Sequence, residues 1–283
     1  MSMRHWKKYL LNFICSMITI FFRTLRDKKI TLLIYCVSAL LVAWMYIALF
    51  PSMKGMSEDF MKLLDGYPDA FLSMFPISEA SFVNLENFLA MENYSFMVPI
   101  MLLFLISSIA GLSIAGEIEK GTAEIILARP VSRIKIFFGR YFAGIFGLAL
   151  FTLSATVLLP PIAAIYGIHY VFANYVTIFC ITMLFGWATF SLAMLLSAIF
   201  SEKSKVYMTL GGIYISMYVI QIISGLSEKW SDTKYFSFFY YYDYEAAIVS
   251  NSIDWINISV FSVFAILATL IAAYYFKRRD ITI

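Results

Sequence analysis

Long apolar runs alternate with short polar intervals along this chain, and the pattern predicts six membrane-crossing helices. About 20 apolar residues, rising 1.5 Å each, are needed to cross a hydrocarbon core of ~30 Å. Runs of that order cover residues 30–50, 94–115, 136–166, 171–200, 206–225 and 255–276. The third carries Arg140 one turn in, a position from which a long side chain snorkels to the inner surface. Helices are required because lipid leaves exposed backbone groups without partners. The fold class read from this pattern is all-α, a polytopic integral membrane protein with six transmembrane helices.

Two stretches depart from the pattern. Tyr9 to Phe22 is apolar but too short to span, with basic residues on both sides. No small-residue cleavage site follows it, which sets it apart from a signal peptide. Residues 1–29 read as an N-terminal amphipathic helix on the inner leaflet, with a short extra span as the other possibility. Between the first two spans, residues 51–93 place Phe60, Leu63, Leu64 and Tyr67, then Phe71, Leu72 and Phe75, at helical spacing. Short external helices are expected there. Pro160-Pro161 removes two amide donors near the end of the third run, so a helix stop or a kink is expected.

Composition agrees with the pattern. The chain is 61% hydrophobic and 14% charged, against roughly 25% charged in a soluble domain. Its formal charge of +3 is too small to imply nucleic acid. The distribution says more: with the N-terminus inside, 17 of the 21 Lys and Arg fall on the inner side. Only Lys54, Lys62, Lys229 and Lys234 lie outside, so both termini are expected in the cytoplasm of a prokaryotic cell-membrane protein. Cys15, Cys36 and Cys180 sit in apolar runs and read as small buried hydrophobes. His5 and His169 are too far apart in sequence to suggest a metal site.

The spans as read hold no Asp or Glu, which disfavours an ion-coupled carrier. Gly116 to Thr122 has the glycine spacing of a phosphate loop, but Thr122 and Ala123 stand where Lys and Ser or Thr are needed. No catalytic residue, cofactor site or metal site is expected, and the chain does not read as an enzyme. The energy for any transport then comes from another polypeptide.

The polar segment 116–133, GEIEKGTAEIILARPVSR, lies between the second and third spans. Gly116 reads as the exit from the second span and Thr122 as the cap of a short helix whose first turn carries Glu124. Pro130 limits that helix, and Ser132 reads as the cap of the third span, with Arg133 at the headgroups. The plain alternative is a solvated loop. A second cluster, Tyr235 to Tyr244, holds eight aromatics in ten residues. It suits an interfacial belt or a stacking surface for amphipathic cargo.

EIEKGTAEIILARPVSR closely resembles the central motif of ABC-2-type permeases, the membrane subunits of one class of ABC transporters. The basic N-terminal helix, the segment Tyr67 to Phe71, Tyr240 to Asp243 and the closing Phe276 to Asp280 are similar to further family features. The resemblance implies that Glu117, Glu119, Gly121, Thr122 and Glu124 form an ATPase-coupling element, with Arg129, Pro130, Ser132 and Arg133 setting its turn. It implies a permease of an ATP-driven exporter, suited to hydrophobic or amphipathic cargo. Its partners would be two copies of a cytoplasmic ABC ATPase subunit, a second permease, identical or sister, and membrane lipid. A membrane-embedded sensor docking a cytoplasmic partner and an ion-coupled carrier are the alternatives from other classes.

Overall fold

The computed structural model describes residues 3–55, 82–123, 131–226 and 228–280, with side chains from residue 17 onward except at Glu228. The first helix, α1, runs Met3–Gly55 without interruption. Two elements were expected here, a surface helix and a span. The 53 residues form one helix, about 80 Å along its axis at 1.5 Å per residue. No glycine or proline stands at the expected junction. Arg23, Leu25, Arg26, Lys28 and Lys29 all favour helix, Thr24 bonds back to the Ile20 carbonyl at 2.8 Å, and Arg23 and Asp27 lie one turn apart at 4.0 Å.

The second helix, α2, spans Leu85–Gly111. The Asn84 side chain caps it by accepting from the Asn87 N–H. It starts earlier than the apolar run suggested and so includes Glu86 and Glu92. The expectation of spans free of acids is corrected accordingly. Ala90–Met97 is wound as π-helix. Pro99 stands two residues after Met97 and has no N–H to give the preceding turn, and a wider turn accommodates its ring. The Pro99 carbonyl accepts the Tyr214 hydroxyl at 2.9 Å. Most of the external segment, residues 56–81, lies outside the described residues.

After a turn comes the short α3, Ala115–Glu119. Helix α4, Arg133–Ala155, breaks and resumes as α5, Leu159–Ile165, with Pro160-Pro161 in the first turn of α5. The prolines therefore interrupt the helix and restart it. The Ala155 carbonyl left at the break is taken by the Tyr94 hydroxyl at 3.1 Å. Then follow α6, Phe172–Ile199, and α7, Lys203–Leu226. A 3-10 stretch Glu228–Phe236 leads to the short α8, Phe238–Tyr241, and α9, Tyr244–Val249. The last helix, α10, is Trp255–Arg278. Among the described residues six helical stretches are long and apolar enough to cross a membrane, and the chain is a polytopic membrane protein.

Helix α6 is the axis of the bundle, packed on α2, α4, α7, α9 and α10. Small residues let the helices approach, as packing in lipid requires. A Cβ on Gly144 of α4 would lie 2.2 Å from the Phe190 ring of α6. Reciprocally, a Cβ on Gly186 of α6 would lie 2.8 Å from Leu148 of α4. Helix α1 uses the same device, seating Ile20 over Gly139 and Leu32 over Gly147. At the junction of α4, α6 and α10 the Tyr141 hydroxyl meets Ser191 Oγ, the Trp187 indole N–H and Thr269 Oγ1, each at 2.7 Å. Buried polar groups in lipid need such closure.

Two members of the aromatic cluster, Phe238 and Tyr242, are buried. Tyr242 stacks on Phe185 with centroids 4.6 Å apart, and Phe238 packs edge-on against Phe264 at 4.8 Å. Phe239 sits 5.0 Å from Tyr214. Only Tyr235 and Phe236 keep the exposure a belt needs. Cys36 is half-buried and Cys180 exposed on α6, so the apolar surroundings expected for Cys180 are those of a span's outer face, not of the core.

Candidate functional site

Helix α2 ends at Gly111, one turn before the expected Gly116. A Cβ on Gly111 would lie 2.2 Å from the Tyr207 ring of α7. The chain turns through Leu112 to Ile114 and re-enters helix as α3. New helix starts leave backbone N–H groups without partners. Here Ser197 Oγ of α6 accepts from Ile114 at 3.3 Å and from Ala115 at 3.1 Å. Gly116 is an interior residue of α3, and its role as a helix exit is corrected.

At its other end α3 closes on Gly121, whose φ of 69° is left-handed. The Thr122 N–H reaches the Glu117 carbonyl at 3.0 Å and the Gly121 N–H reaches Ile118 at 3.0 Å. This paired 6→1 and 5→2 bonding is the Schellman stop, and glycine adopts the required φ without a Cβ penalty. The Thr122 hydroxyl donates to the Glu117 carboxylate, so its side chain serves the preceding helix.

Both acids of α3 are tied to spans. Glu117 Oε1 lies 3.3 Å from Arg140 Nη2 of α4. The Arg140 guanidinium also donates to the Ser113 carbonyl, and its side chain is only 14% exposed. It clamps the turn from inside and does not snorkel outward. Glu119 accepts the Lys203 backbone N–H at 2.8 Å and faces its ammonium at 3.5 Å. It caps α7 from outside that helix. The hydrogen bond from the Lys203 backbone holds the Glu119 carboxyl below its ordinary range, and the Lys203 charge acts the same way. Lys28 of α1 lies within electrostatic reach of Lys120, Asp27, Glu117 and Arg140.

Ser132 and Arg133 belong to a different set. Ser132 is the N-cap of α4, but its side chain makes no cap bond. Its carbonyl accepts instead from Lys135 at 3.0 Å. Arg133 donates to the Arg279 carbonyl. Arg279 closes α6, donating to Ala198 at 2.7 Å and Phe200 at 3.0 Å. Glu124, Arg129 and Pro130 lie outside the described residues.

The structure thus brings together Glu117, Glu119, Gly121 and Thr122. It adds Arg140, Ser197 and Lys203, which the sequence reading did not assign to the site. Arg140, a lone charge one turn into an apolar run and facing an acidic loop, was the available signal. Glu119, Lys120 and Gly121 are exposed. The element is therefore a surface helix braced from behind by α4, α6 and α7. Among the described residues no three His, Cys, Asp or Glu side chains converge as a metal site needs.

A family model described as "Protein of unknown function (DUF2705)" matches residues 56–282, which takes in α3 and the last five spans. No curated protein matches the chain.

Proposed function

The chain belongs to the DUF2705 family, and we propose that it is the permease subunit of an ATP-driven exporter of the ABC-2 type. Its α3 element takes the drive from a separate cytoplasmic ATPase. The observation that carries this reading is the bracing of α3. Its acids are spent on Arg140 and Lys203 while Glu119, Lys120 and Gly121 stay exposed. A force on that exposed edge reaches α4 through Glu117 and Arg140, and α7 through Glu119 and Lys203. From Arg140 the next residue is Tyr141, whose hydroxyl joins α4 to α6 and α10.

In this reading two permeases pair with two ATPase subunits. ATP binding closes the ATPase pair, α3 is displaced, and the spans tilt with it. The basic bias of the α3 side supports a cytoplasmic placement, as the positive-inside rule requires. Largely neutral spans suit hydrophobic or amphipathic cargo. The chain itself contributes no nucleotide chemistry.

The test is co-purification with a co-expressed candidate ATPase. Association is expected with the wild type and lost with Lys120→Glu and with Glu117→Lys, while both variants keep wild-type elution as single species. Association unchanged in both variants overturns α3 as the docking element.

A further inference from the structure

The far end of the bundle from Glu117 holds an open cavity of about 310 Å³. Its walls come from the end of α1, the start of α2, the turn before α6 and the end of α9, with Phe50, Val83, Ile168 and Val249 as apolar lining. The polar lining is Asn84, Glu86, His169, Asn174 and Lys54. Lys54 is itself engaged, and Asn84 is committed to capping α2.

Glu86 is 6% exposed. A carboxylate that deep is costly without partners. Its Oε1 accepts the Val171 N–H at 3.1 Å, and it stands in the first turn of α2. Among the described residues Oε2 has no hydrogen-bond partner. Asn174, 7% exposed on the same cavity wall, makes no side-chain hydrogen bond among the described residues. One residue on, the fully buried Tyr175 hydroxyl also lacks a partner. Buried polar groups are seldom left unpaired; the Tyr175 hydroxyl is one, next in sequence to Asn174, which shares the cavity wall with Glu86.

We propose that this cavity is a binding site for a small organic cation, a protonated primary amine on an apolar body. An ammonium brings three N–H donors and no acceptor. Glu86 Oε2, the Asn174 carboxamide oxygen and the His169 imidazole supply acceptors, and the Phe50 ring and aliphatic walls take the carbon skeleton. At about 30 Å³ per water-sized volume the cavity admits a body of roughly ten non-hydrogen atoms. The site stands apart from α3 and does not depend on an ATPase partner.

Phenethylamine is the probe and 2-phenylethanol its neutral counterpart, titrated against the purified full chain in nanodiscs with thermal unfolding as the readout. The expected result is a saturable rise in midpoint with the amine and none with the alcohol. Glu86→Gln keeps an acceptor for the Val171 N–H and removes the charge, and should raise half-saturation at least tenfold. Val83→Trp, at the exposed rim, should do the same by filling the mouth, and it decides the matter alone if Glu86→Gln does not fold. Equal responses to amine and alcohol, or wild-type half-saturation in the folded variants, overturn the proposal.

Discussion

Glu119 and Lys203 are joined twice, through the Lys203 backbone N–H at 2.8 Å and through its ammonium at 3.5 Å. One carboxylate thereby caps α7 and anchors α3. Helix starts normally take their cap from the residue just before them. Here the cap comes from 84 positions away in sequence, and the start of α7 depends on where α3 is held.

This link sets a pH dependence. The Glu119 carboxyl titrates below its ordinary value in the folded chain, so its contribution is present above an unfolded pKa of about 4.3 and is lost as pH falls through the lower folded value. Glu119→Ala should lower the thermal midpoint slightly at pH 7. Its midpoint should converge on that of the wild type as pH drops below about 4, read from unfolding curves across pH.

Gly121 carries φ 69° and faces open space where a Cβ would stand. The cost of Gly121→Ala is therefore purely conformational, about 1 kcal/mol. Gly121→Asn should cost less, since asparagine tolerates the left-handed region. Denaturant titration of the two variants checks the order.

Gly144 and Gly111 would each place a Cβ 2.2 Å from an aromatic ring, yet they should respond differently. Phe190 is fully buried between α4 and α6, whereas Tyr207 is half-exposed and can swing aside. Gly144→Ala should cost about 1 to 3 kcal/mol through overpacking, and Gly111→Ala less. Thermal midpoints of the pair measure the difference.

Tyr141→Phe removes the hydroxyl shared by Ser191, Trp187 and Thr269. The indole N–H then loses its acceptor, at a cost of about 1 to 3 kcal/mol. Thr269→Val leaves the indole bond in place and should cost less. Unfolding of both variants, with Trp187 fluorescence as the probe, distinguishes them.

The orientation proposed for the bundle is open to labelling. With the three native cysteines replaced, Lys120→Cys should react with an impermeant maleimide only after cells are opened. Ser252→Cys, exposed at the opposite end, should react in intact cells. The reverse pattern would place α3 outside the cell.

The spans were legible because apolar length is a sum over neighbours and needs no knowledge of the fold. The start of α2 was missed because Glu86 and Glu92 interrupt that sum, although capping by Asn84 begins the helix ahead of both. The join of α1 was missed because charge was read as a boundary, while helix propensity runs through Arg23 to Lys29 unbroken. At the candidate site the residue types of Glu117, Glu119, Gly121 and Thr122 marked a short element. Their partners had no local signal.

By itself the sequence determined that this is a six-span helical membrane protein with a polar element between its second and third spans. Burial in lipid depends on how many apolar residues follow one another, and that is written along the chain. Only the tertiary structure decided that Glu117 meets Arg140, that Ser197 serves the start of α3, and that Tyr242 turns inward to Phe185 instead of out to an interface. Those contacts join side chains on separate helices. Which groups meet is set by the close approaches that residues such as Gly144 and Gly186 permit, and periodicity within one helix does not encode them.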